Sequence, residues 1–144
     1  MKSVFLTTLG GIVLMMATNL ALAADDDRVK VVYQLSEGLE QAAQGMRNIR
    51  NHLEADPKAK IAVVTHGDGV NFLLEDAKDK NGNPFDVTVQ DLASKGVDFR
   101  VCDNTLTGRK IDKSRVLPEA AIVPSGVAEV ARLQAREGYV YLRP

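Results

Sequence analysis

Apolar residues recur along the chain in two alternating rhythms. Arg28 to Leu35 is β-branched and apolar, the composition of a buried strand. From Glu37 to Asp56 the period becomes helical, with Leu39, Ala42, Ala43, Met46, Ile49 and Leu53 on one face, Ser36 as its cap and Pro57 beyond its end. Ala59 to Thr65 is a second strand, stopped by His66-Gly67-Asp68-Gly69. A short amphipathic stretch, Val70 to Lys78, runs into the turn-rich Asp79 to Pro84. Phe85 to Lys95 reads as a helix closed by Gly96, and Val97 to Cys102 as a third strand with Val97, Phe99 and Val101 on one face. Asp103-Asn104 caps a short helix reaching about Lys110; Asp112 to Leu117 is ambiguous and ends at Pro118. Ala120 to Val123 is a fourth strand, Val127 to Glu137 a helix closed by Gly138, and Tyr139 to Leu142 a fifth strand.

Strands and helices thus alternate without internal repeat or linker. That order predicts a single three-layer α/β/α domain on a five-stranded, mostly parallel sheet. The domain begins at residue 24. Ahead of it, Lys2 is the only charge before Asp25; an uncharged stretch ends in Ala21-Leu22-Ala23, and Asp25-Asp26-Asp27 follows. This pattern predicts a cleavable signal peptide over 1–23, a mature chain free of the membrane, and a periplasmic location.

Composition narrows the function classes. With 18 basic and 19 acidic residues in 144, the net charge of −1 supplies no field for a nucleic acid. One cysteine precludes an internal disulfide, and with two histidines it offers no metal-ligand spacing. No Walker loop is present, and Gly67-x-Gly69 lacks the third glycine of a dinucleotide fingerprint, position 72 being Phe. No cofactor is expected.

Candidate chemistry collects at the carboxyl ends of the strands, where parallel sheets bind ligands. His66, Gly67, Asp68 and Gly69 follow the second strand, Cys102, Asp103 and Asn104 straddle the end of the third, and Ser125 and Gly126 follow the fourth. Cys102 is the candidate catalytic residue, since amides at a helix start favour a thiolate and Arg100 or Arg109 can add positive charge. A buried structural cysteine is the competing reading. A hydrolytic Cys–His pair needs His66 within reach of Cys102, and no local motif supports one. Gly67 and Gly69 read as turn formers, and Ser125 as a helix cap.

His66-Gly67-Asp68-Gly69-Val70, Val97-Asp-Phe-Arg-Val-Cys102-Asp-Asn-Thr-Leu106, Val123-Pro-Ser-Gly-Val127 and the closing Gly138-Tyr-Val-Tyr-Leu-Arg-Pro144 together resemble the DsrE/DsrF-like family. The resemblance runs from about Arg28 to Pro144. It implies a three-layer domain on a parallel sheet, assembly as a homo-oligomeric trimer or hexamer, and a role in sulfur relay. In relay members a cysteine at the end of this strand accepts sulfane sulfur as a persulfide, and Cys102 holds that position. The resemblance therefore implies a sulfur carrier working with a sulfur donor or acceptor protein. A non-catalytic module of the same fold, binding a small ligand or another subunit, is the alternative. An exported chain departs from the relay members, which serve cytoplasmic partners.

Overall fold

In the computed structural model, which describes residues 27–144, five short strands form one sheet. The signal peptide expected over 1–23 lies outside the described residues. The strands are β1 (Lys30–Leu35), β2 (Lys60–Thr65), β3 (Asp98–Cys102), β4 (Ala120–Val123) and β5 (Val140–Leu142). Their order is β4-β3-β2-β1-β5, and every pairing is parallel. Four α-helices accompany them among the described residues: α1 (Leu39–Ala55), α2 (Phe85–Ser94), α3 (Asp103–Gly108) and α4 (Gly126–Glu137). Two 3-10 segments, Gly67–Leu73 and Lys113–Arg115, complete the connections.

Strand order decides which face each helix covers. From β1 to β4 the chain steps across the sheet in one direction, so right-handed crossovers put the intervening segments on one face. The step from β4 to β5 runs the other way, past β3, β2 and β1, so α4 lands on the opposite face. The three layers are therefore unequal. On the first face Val31, Tyr33 and Leu35 of β1, Ile61 and Val63 of β2, and Phe99 and Val101 of β3 pack with Met46, Ile49, Phe72, Leu92 and Leu106. Phe72 anchors this core, its ring 5.7 Å from Phe85 and 6.3 Å from Phe99. On the second face the apolar cluster is small, with Val32, Ala62 and Val64 buried under Val130, Leu133 and Tyr139.

Local differences from the sequence reading have physical causes. Ser36 does not cap α1: the N-cap is Gly38, with φ +92°, and no side chain caps it. Instead Gln41 turns back, its Oε1 accepting from the N–H groups of Ser36 and Glu37 at 2.8 and 2.9 Å. The segment after β2 coils earlier than its amphipathic pattern suggests, at Gly67. There the backbone runs against the end of β1, and a Cβ on Gly69 would lie 2.1 Å from the carbonyl oxygen of Leu35. Only glycine permits that approach. Ser125 does cap α4, accepting from the N–H of Ala128 at 3.3 Å, and Gly138 closes it at φ +72°.

Candidate functional site

The end of the sheet's second face carries polar side chains rather than apolar ones. Register places Val64 beside Arg100 and Thr65 beside Val101, so the next residues, His66 and Cys102, end neighbouring strands side by side. Gly126, the first residue of α4, sits over both. A Cβ there would lie 3.2 Å from the Cβ atoms of Cys102 and of His66, and 2.9 Å from the carbonyl oxygen of Thr65. The helix start therefore meets the strand ends backbone first, with no side chain between. Arg100, two residues before Cys102 on the same face, pairs with Glu129 of α4, which also holds Arg132 at 2.7 Å. The Arg100–Glu129 pair fastens α4 to β3 near where Gly126 covers the sulfur, and the Glu129–Arg132 pair within α4 braces Glu129.

Cys102 is 5% exposed. Burial pushes its thiol upward, but the polar surroundings at the starts of α3 and α4, the Thr105 hydroxyl and the N–H groups of Gly126, Thr105 and Asn104, act to lower it. The net result is a thiol below its ordinary value. The Asn104 amide donates to the carbonyl of Pro124 at 3.2 Å. Neither arginine supplies the charge the sequence suggested. Arg100 is taken by Asp98 and Glu129, and Arg109 donates to the carbonyl of Gly67 at 3.1 Å, 3.6 Å from Asp68. Asp103, adjacent to the cysteine, is paired with Lys113 Nζ at 2.8 Å, which offsets its negative charge.

The sulfur also lies deeper than a strand-end position implies, beneath the surface rather than at a pocket mouth. Cavities open elsewhere, among them a trough of about 340 Å³ along α1 and the 78–84 turn, lined in part by Ala43, Arg47, Arg50 and Phe85. Asp68 and the side chain of Asn104 are turned to solvent.

His66 is committed to a different partner. Its Nε2 is 2.6 Å from Gln34 Nε2, and Gln34 Oε1 accepts from the Tyr141 hydroxyl at 2.6 Å. An amide nitrogen can only donate, so His66 Nε2 accepts and the ring proton sits on Nδ1. The chain Tyr141–Gln34–His66 thus crosses β5, β1 and β2 toward Cys102. It leaves Nε2 unavailable as a base for the thiol, which removes the geometry a Cys–His hydrolase requires. His52 makes an analogous contact on the other face, its Nδ1 2.9 Å from the hydroxyl of the buried Tyr33.

Sequence reasoning missed Thr105, Gln34 and Tyr141. Gln34 had a usable signal as a polar residue in an otherwise apolar strand, and Thr105 as a hydroxyl one helical turn beyond the cysteine. Among the described residues no group of three His, Cys, Asp or Glu side chains is placed to hold a metal ion. No helix among them is long and apolar enough to cross a membrane.

The sequence model of the DsrE/DsrF-like family matches residues 14–144. The chain belongs to the DsrE/DsrF-like family. The matched span begins inside the segment expected as a signal peptide. Among solved structures, this DsrE/DsrF-like chain is similar to a protein of unknown function from Methanobacterium thermoautotrophicum, MTH1491. Identity is 32% and the TM-score 0.72, with 81% of this chain and 99% of that one covered. The ychN protein of E. coli shares the fold at 16% identity and a TM-score of 0.64, over 81% of this chain and 98% of that one. No curated protein matches the chain.

Proposed function

We propose that this DsrE/DsrF-like protein is a sulfur carrier in which Cys102 accepts sulfane sulfur from a small donor. One observation carries the reading. The starts of α3 and α4 meet at a single sulfur, with Cys102 the N-cap of α3 and Gly126 beside it, and the thiol is held below its ordinary value although burial opposes this. That arrangement suits a thiolate or a persulfide anion. In the simplest step the Cys102 thiolate bonds to the terminal sulfur of hydrodisulfide. The donor's S–S bond breaks, hydrosulfide leaves with its electron pair, and the transferred sulfur keeps its negative charge as the cysteine persulfide. No external oxidant is consumed. A sulfur 5% exposed favours such a compact donor over direct attack by a partner protein's thiol.

The same burial favours the second reading, a non-catalytic binding module in which Cys102 only lines the strand ends. Mass spectrometry of the intact protein after polysulfide treatment separates the two. A carrier gains whole sulfur atoms that disappear on reduction and are absent from Cys102→Ser; an unmodified wild-type chain leaves the binding module. Export to the periplasm and assembly into a trimer or hexamer belong to the same proposal. The exposed Val140, Tyr141 and Leu142 of edge strand β5 support the second of these.

A further inference from the structure

We propose that the trough along α1 and the 78–84 turn is a binding site for a small amphipathic anion, a carboxylate carrying a short hydrocarbon chain. It lies on the first face of the sheet, away from Cys102, and stands apart from sulfur transfer. The helical period that gives α1 its apolar stripe also sets Ala43, Arg47, Arg50 and Glu54 in one line beside that stripe. The helix α2 does not cover this line. Both helices pack on the Gly67–Leu73 segment and hardly meet each other, which leaves the space between them open. That space forms two adjoining cavities of about 300 and 340 Å³, sharing Ala43, Arg47, Asp79 and Asn81. The first is lined by Leu39 and Ala43 and by Lys78 and Lys80, whose stems are aliphatic. The second has the nearly buried Met46 and Phe85 at its base and Arg47, Arg50, Asn83 and Thr88 around them. A ligand lying across both meets hydrocarbon at one end and hydrogen-bond donors at the other.

Charge sets the sign of that ligand. Glu40 faces Lys80 at 3.6 Å, so those two offset each other. Both oxygens of Asp79 are taken inside the turn. Its Oδ1 accepts from the N–H groups of Asn81 and Asn83 at 2.8 and 2.9 Å, and its Oδ2 from the Asn83 side-chain amide at 3.0 Å. With the Asp79 N–H donating to the Asn83 carbonyl at 2.9 Å, these bonds make the turn a preformed wall. Arg47 and Arg50 pair with no carboxylate of the described residues, and Glu54, one turn beyond Arg50, is not drawn to it. Two guanidinium groups one turn apart on the same side of a helix can reach a single carboxylate, each with paired N–H donors. A neutral ligand would leave them unused, and a cation would be repelled.

The test is isothermal titration calorimetry of the purified protein with octanoate as probe. Acetate, a head without a chain, and octylammonium, a chain with the opposite charge, are run beside it. Octanoate is expected to saturate a single site, with acetate and octylammonium each weaker by about tenfold or more. Replacing both arginines, Arg47→Gln with Arg50→Gln, keeps side-chain length and helix propensity and is expected to weaken octanoate about tenfold or more. Arg136→Gln removes an exposed charge from α4 on the other face and is expected to leave binding within about twofold. A titration that does not saturate overturns the proposal. So does octylammonium or acetate binding as tightly as octanoate, or a double variant that binds like wild type. An NMR titration with octanoate places the site, with amide shifts expected in α1 and in the 78–84 turn. Shifts confined to the exposed Val140 and Leu142 of β5 mean that the chain merely finds bare apolar surface, and they overturn it as well.

Discussion

The two faces of the sheet are built to different specifications. The first is covered by α1, α2, α3 and the Gly67–Leu73 turn over a continuous apolar core that includes four fully buried leucine and phenylalanine side chains from the covering segments: Phe72, Leu73, Leu92 and Leu106. The second is covered by α4 alone, whose hold combines a cluster of six buried residues with the Arg100–Glu129 ion pair. Cys102, His66, Gln34 and Tyr141 all lie on the second face. The broad core supplies stability, and the thinly covered face is left free to carry polar groups that would be costly inside the other.

The sharpest way to break this comparison is to hollow each side in turn. Phe72→Ala removes an aromatic ring buried among two others and should cost about 4 kcal/mol. Leu133→Ala on the second face should cost about 2 kcal/mol, at the low end for such truncations, because the small cluster can collapse around it. Urea unfolding of both variants measures the difference, and equal losses would erase the distinction between the faces.

A gentler probe addresses the ion pairs. The Arg132 guanidinium, against the opposing effect of burial and aided by Arg100, holds the Glu129 carboxyl below the usual carboxylate range. A depressed carboxylate contributes stability above its unfolded value, about 4.3, and loses it as pH falls through the folded value. Glu129→Gln should therefore cost about 2 kcal/mol at neutral pH. The gap between variant and wild type should close in acid. A gap that persists unchanged at low pH would assign the loss to packing instead of charge.

The smallest effect concerns Cys102. Its folded value also lies below the unfolded one, so its contribution is complete above about pH 8.5 and declines as pH falls through the folded value. Wild type should thus gain stability relative to Cys102→Ala as pH is raised from neutral toward 9. A difference that stays flat over that window would mean the sulfur is not held as a thiolate.

The fold was largely legible because strands such as Lys60–Thr65 are nearly unbroken apolar runs and α1 shows a clean helical stripe. The layer inequality was not, although α1 and α4 look alike as amphipathic sequences. Only strand order says which way each crossover runs, and order is a property of long-range pairing. Within the site, Cys102 and Gly126 could be placed at strand ends from their flanking elements. The Gly67–Thr105 contact could not, because it depends on a positive-φ glycine meeting a hydroxyl from a distant helix. The depth of the sulfur was likewise hidden, being set by how closely the backbone of α4 rests on β2 and β3.

The shallow footing of α4 has a kinetic side. Native proteins open first through their weakest cooperative unit, and a helix held by one six-residue apolar cluster and one ion pair to the sheet is a natural first to detach. When it lifts, Gly126 leaves the sulfur and Cys102 meets solvent. Reagents added to the native protein would then report how often α4 comes away, with the backbone amides of Val130 and Leu133 exchanging their hydrogens on the same clock while those beneath Phe72 and Phe99 stay silent.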